Sequence, residues 1–151
     1  MNKPKWLEIA EREIGTKEVV GGENPRIVEY HASTTLHANE DEVPWCSSFV
    51  NWCIEQAGYK GTKNALAKSW LTWGDEITTP TLGCVCIIQQ KQKGEDKKTG
   101  SATGFHVGFW LAEKDNRVHL LGGNQSDQVK MSSFGLTSYE IMGYRIPKEE
   151  V

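Results

Sequence analysis

The sequence predicts an α+β domain with an antiparallel sheet, because helices come first and strands second. Apolar residues recur at helical spacing through the first half, punctuated by prolines at helix starts and glycines at helix ends. From Gly83 onward, β-branched and aromatic runs of strand length take over. There is no internal repeat, and 151 residues suit one domain spanning 1–151.

The first helix is expected from about Pro4 to Ile14, with Trp6, Leu7, Ala10 and Ile14 as its apolar face and Gly15 as its stop. Asn24 caps a second short helix that has Pro25 at its first position. The polar stretch "HASTTLHANEDE" reads as irregular and leads into "VPWCSSFVNWCIEQAGY". There Cys46, Phe49, Val50, Cys53 and Ala57 form one helical stripe, with Ser47, Ser48, Asn51 and Glu55 off it and Gly58 at the end. "NALAKSWLTWG" reads as another short helix.

"GCVCIIQQ" is a strand. "KQKGEDKKTGSATG" carries no large apolar side chain and reads as a mobile loop. "FHVGFWLA", "RVHLLGG" and "YEIMGYRIP" are further strands, with a hairpin turn at Lys114 to Asn116.

Charged residues make up 25% and the net charge is -3, so the chain has no basic face for nucleic acid and no pull toward a charged partner. No apolar stretch reaches signal-peptide or membrane-spanning length. The expectation is synthesis and folding in the cytosol, where disulfides are disfavoured. Zinc sites favour Cys-x2-4-Cys; the x6 and x1 spacings of Cys46/Cys53 and Cys84/Cys86 fit poorly, so no metal is expected.

Cys46 opens its helix just after Pro44 and Trp45, where backbone N–H groups and the helix dipole favour a thiolate and could hold an oxyanion. The competing reading makes Cys46 the first residue of a core stripe, as Cys53, Cys84 and Cys86 are read to be core or strand-packing residues. A thiol nucleophile needs a base. His31 reads as a helix surface residue, His37 lies in a polar loop, and His119 is in a strand opposite Val118 and Leu120. His106 opens "FHVGFWLA". Alternation places Phe105, Val107, Phe109 and Leu111 on one face, and His106, Gly108 and Trp110 on the other. Gly108 leaves space beside the imidazole for a helix end. Asn124, eighteen residues later, could orient that ring across a hairpin; equally, it could serve only the geometry of a Gly-Gly-Asn turn.

"PWCSSFVNWC", "FHVGFW" and "GGNQSD" together resemble the CHAP-like and NlpC-like cysteine peptidases that cut bacterial peptidoglycan. The leading "WLEIAEREIGTKEVVGGENPRIVEY" is similar to the N-terminal helices of single-domain members, and "YRIP" to their closing strand, so the likeness covers about Trp6 to Pro147. The resemblance implies a papain-like core in which the nucleophile helix packs on the sheet. Cys46 would be the nucleophile, His106 the base and Asn124 the orienting residue. Two positions depart from the pattern: Gly83-Cys84 stands where many relatives have Gly-Asp, and the loop before Cys46 offers Asn39, Glu40, Asp41 and Glu42 rather than an upstream glutamine.

The implied activity is hydrolysis of an amide in the stem peptide or cross-bridge, by a monomer without cofactor. The enzyme would be a phage endolysin or an injected toxin acting on the wall, and a toxin would imply an immunity protein as partner. Among six tryptophans, Trp45 and Trp110 are candidate groove walls and Trp6, Trp52 and Trp70 candidate core residues. Asp41 and Glu42 could attract a free amine on the substrate or simply be solvated. Three other readings stand beside this one: a non-catalytic glycan or peptide binder on the same fold, a thiol amidohydrolase with a non-wall substrate, and a metal-binding regulator.

Overall fold

The computed structural model describes residues 3–19, 24–34, 45–99, 101 and 103–148. Among these residues, three helices and a 3-10 segment precede all six strands of an antiparallel sheet: α1 (Lys5–Arg12), α2 (Pro25–Ala32), α3 (Cys46–Gln56), the 3-10 segment Ala67–Thr72, β1 (Asp75–Ile77), β2 (Val85–Gln90), β3 (Phe105–Lys114), β4 (Arg117–Gln125), β5 (Gln128–Gly135) and β6 (Tyr139–Ile146). The strand order is β1-β6-β2-β3-β4-β5, so the last strand inserts between the first two. This mixed α+β architecture is the class the sequence predicts.

The helix boundaries follow local chemistry. The Asn24 side chain accepts the Arg26 N–H, and Pro25 occupies the first turn of α2. α1 is shorter than its pattern suggests. Gly15, at φ +101°, donates its N–H to Val129 of β5, which turns the chain away from the helix and leaves Ile14 exposed. Residues 15–18 thereby cover part of the β5 edge, with further bonds from Val129 to Thr16 and from Glu18 to Asp127.

α3 sits at the centre. Residues Cys46 to Ile54 are all buried, so the helix is surrounded rather than docked by one face. Its apolar stripe packs into a core with Tyr30, Val107, Phe109 and Leu121, and each large side chain so buried stabilises by roughly 1.5–3 kcal/mol. Its polar residues bond outward. Ser47 donates to the Asn64 carbonyl and accepts the Trp70 indole N–H. Asn51 donates to Ser33 and accepts the Lys63 N–H. Ser48 and His31 Nδ1 lie 2.8 Å apart, which makes His31 a buried partner of α3 instead of the surface residue expected. The residues off the stripe therefore fix the position of α3 through hydrogen bonds.

The opposite face of the sheet carries a second cluster of Cys86, Ile88, Val118, Leu120, Phe134 and Tyr139. The hairpin turn expected at Lys114 to Asn116 joins β3 to β4; Asp115 and Asn116 form its two-residue loop with positive φ, and Lys114 still belongs to β3. Two strands escape the sequence pattern. β1 has only three residues, and β5 is a polar edge strand in which Val129 and Phe134 alone are buried.

The segment 91–104, expected to be mobile, is tied down over its described residues. Asp96, Thr99 and Ser101 are buried, the Tyr139 hydroxyl donates to Asp96, and Lys98 donates to the Ser133 carbonyl and lies over the Phe134 ring. Small polar residues in turns take the place of apolar anchors here, a device invisible to a search for large side chains. No helix among the described residues is long and apolar enough to cross a membrane.

Candidate active site

Cys46 is the first residue of α3, and its Trp45 cap offers no side-chain hydrogen bond to the helix start. The sulfur lies within reach of the backbone N–H groups of Val107, Ser47 and Cys46 itself. Burial nevertheless dominates and pushes the thiol up to about 11, so the resting group is a neutral thiol. The helix start alone does not overcome desolvation. Cys53, Cys84 and Cys86 are also buried, free and shifted upward, mainly by burial.

The contact with Val107 follows from a split in the sheet. β3 pairs with β4 only from Phe109↔Leu121 to Lys114↔Arg117; the earlier residues of β3 pair with β2 alone. The open edge of β3 at Val107 meets the start of α3.

His106 is one residue away, but its ring takes the other direction. It pairs with Ile88 and lies 5.4 Å from the Phe134 ring, within the cluster on the face opposite α3. Alternation along β3 is thus as the sequence predicts, yet Gly108 does not admit a helix end. A Cβ there would meet Leu120 Cβ at 3.2 Å, so leucine fills that space. No hydrogen bond joins Cys46 to His106: Nδ1 is buried without a partner among the described residues, and Nε2 is 2.9 Å from Gln125 Oε1.

Gln125, which sequence reasoning missed, is the residue that holds the imidazole; Asn124 is not. The cause is the register shift between Gly122 and Gln125, where Asn124 takes φ +56° and resets the alternation of β4. The Gln125 amide donates to the carbonyls of Leu120 (3.2 Å) and Lys130 (2.8 Å). With both donors used, Oε1 faces His106 as an acceptor, so Nε2 must carry the proton and Nδ1 the lone pair. A Cβ on Gly122 would come within 2.5 Å of that Oε1; glycine makes room for the glutamine. On the other face, a Cβ on Gly123 would meet the Trp45 ring at 2.7 Å and Phe49 Cβ at 2.8 Å. The adjacent glycines of "GGNQ" mark close approaches on both faces of β4, but Asn124 and Gln125 each carry an amide with two donors, so the run alone does not choose between them.

Burial pushes the His106 imidazole down to about 4, against smaller upward effects from the Gln125 bond and Asp96; Lys98 adds to the lowering. It is neutral at pH 7, as a proton acceptor must be.

The expected substrate contacts fare differently. Trp45 is fully buried, stacks on Tyr30 and donates its indole N–H to Glu18, so it is a core residue and not a groove wall. Trp110 shares the His106 face but lies four residues along the strand, roughly 13 Å away, and packs on the second cluster. Trp52 and Trp70 are core, as expected, and Trp6 is partly buried against the core with its N–H on the Gly83 carbonyl. Asp41, Glu42 and His37 lie outside the described residues. A cavity of about 200 Å³ opens beside Cys46, lined by Ala65, Leu66, Ala67, Lys68, Ser101, Thr103 and Phe105. None of these seven was singled out as a site residue by the sequence.

The chain matches no protein-family model, and no curated protein matches its sequence.

Proposed function

We propose that the protein is a cysteine hydrolase that cuts an amide bond in bacterial peptidoglycan, with Cys46 as nucleophile, His106 as base and Gln125 as the residue that orients the base. The observation that carries this reading is the state of His106. A buried imidazole has one nitrogen fixed by an amide that cannot turn, while the other is left with a free lone pair one residue from the N–H group that contacts the Cys46 sulfur. A proton-accepting role would account for that nitrogen, since an unpaired buried polar atom costs on the order of 1–3 kcal/mol.

In this mechanism Nδ1 takes the Cys46 proton as the sulfur attacks the carbonyl carbon. The positive charge that forms on the ring is shared with Gln125 Oε1 through the Nε2–H bond. N–H groups at the start of α3 stabilise the tetrahedral oxyanion, His106 protonates the departing amine, and water releases the acyl group. With a neutral thiol and a neutral imidazole at rest, the proton moves during attack instead of beforehand. The ring lies on the face of β3 opposite α3, so this mechanism requires the start of α3 and the open edge of β3 to rearrange when substrate binds, a larger change than the tightening of a long hydrogen bond.

The test is digestion of purified muropeptides by the wild type and by Cys46→Ala, with products read by mass spectrometry. The mass differences identify the bond, and the variant should lose at least ~10³-fold in rate. A folded wild type that leaves muropeptides intact, or a Cys46→Ala protein that keeps its activity, overturns the proposal.

A further inference from the structure

The cavity beside Cys46 has a chemical character that the proposed reaction does not use. At about 200 Å³ it exceeds the ~150 Å³ that suffices for a benzene ring, so it holds a group of at least six non-hydrogen atoms. Ala65, Leu66, Ala67 and Phe105 make it largely apolar, and Leu66 is 54% exposed. Ser101 Oγ and Thr103 Oγ1, 3.4 Å apart, are its neutral polar groups. Lys68 is the one charged side chain among the described lining residues, and it makes no ion pair or hydrogen bond with any described residue. The chain as a whole carries -3, yet among the described residues the space next to the thiol is bordered by a cation without an ion-pair partner.

We propose that this cavity is an anion-selecting subsite, which admits a small acyl group bearing a carboxylate to Cys46, and that Lys68 is the residue that selects it. The inference rests on the reading of Cys46 as nucleophile and narrows its substrate to one with a free carboxylate beside a small apolar group. An exposed lysine acts here mainly through its field, worth a few-fold in local anion concentration and reduced by salt.

The test needs no turnover. Cys46 is alkylated at pH 9 with iodoacetate, which carries the carboxylate, and with iodoacetamide, its neutral isostere. In each case the Cys46 sulfur bonds to the CH2 carbon, iodide leaves and the thiol proton passes to buffer. Labelling is read by mass spectrometry on the peptide containing residue 46. The iodoacetate-to-iodoacetamide rate ratio should fall about three- to tenfold in Lys68→Met and further in Lys68→Glu. Salt at ~1 M should bring the wild-type ratio down to that of Lys68→Met. Ratios equal within about twofold across the three proteins overturn the proposal. So does a Cys46 that neither reagent labels until the protein is unfolded, for then the cavity admits no acyl-sized group. Loss of the ratio effect alone leaves the muropeptide result standing, and inactivity toward muropeptides alone leaves the ratio standing.

Discussion

The Cys46 half of the candidate site is held by main-chain groups and the His106 half by side chains. At Cys46, the backbone N–H groups of Val107, Ser47 and Cys46 itself offset part of the burial that raises the thiol, and the helix that presents it is fixed by Ser47, Ser48 and Asn51 bonding to neighbouring segments. At His106, a glutamine amide, an aromatic ring and a lysine from the 91–104 segment form a chain of contacts in which each member depends on the next. A site made from backbone tolerates neighbouring substitutions and is set by the fold. A site made from side chains is adjustable and fragile, because one lost partner strands the others.

The sharpest way to separate the halves is to remove each in turn. Cys46→Ala should abolish activity while leaving the fold intact, since it deletes one sulfur from a site bounded by a cavity. Next in size is an acid effect confined to the other half. His106 has its usual value of 6.5 in the unfolded chain and about 4 when folded. Between these values the unfolded state binds a proton that the folded state refuses, so stability present above pH 6.5 is lost progressively down to about pH 4. The expected loss is roughly 3 kcal/mol, measured by urea denaturation at pH 7 and pH 4, and it should be absent in His106→Gln. An equal acid loss in that variant would mean that other groups govern the pH response.

The assignment of the orienting residue comes next. Gln125→Ala should lower kcat about a hundredfold, because the imidazole loses its fixed tautomer and two carbonyls lose their donors; the fold should weaken by about 1–3 kcal/mol. Asn124→Gly should keep kcat within a few-fold and leave stability unchanged or slightly raised, since glycine tolerates the left-handed conformation. The reverse pattern would restore Asn124 to the role that its spacing suggested. The smallest expected effect is at Trp45. Trp45→Phe loses the bond to Glu18 and should cost about 1 kcal/mol of stability with KM unchanged. A raised KM would return this ring to the substrate groove.

The same contrast explains what could be read from the chain. The Asn24 cap, the stripe of α3, the alternation of β3 and the turn at Asp115-Asn116 are local features with local signatures, and they are legible in the sequence. Cys46 and His106 stand out as candidates by residue type and position, and their joint action belongs to the proposed function. The sequence points to Asn124 and gives no sign of Gln125, because strand counting has no means of locating a bulge, and one residue of slip exchanges the two faces. Trp45 was placed in a groove because adjacency along the chain was taken for adjacency in space; its ring turns inward onto Tyr30. The cavity went unread because Ala65, Leu66, Ala67 and Phe105 come from segments about forty residues apart and carry no motif.

Gly123 has a consequence for how this site can evolve. With Trp45 and Phe49 packed where its side chain would be, even a single methyl must push the cysteine-bearing helix away from the strand that leads into Gln125. An ångström of retreat is enough to slow a reaction about a hundredfold. Substitutions at this position would thus act as a throttle on the chemistry while touching neither reactive group, and drift in sequence should be slowest where the protein has nothing but hydrogen to offer.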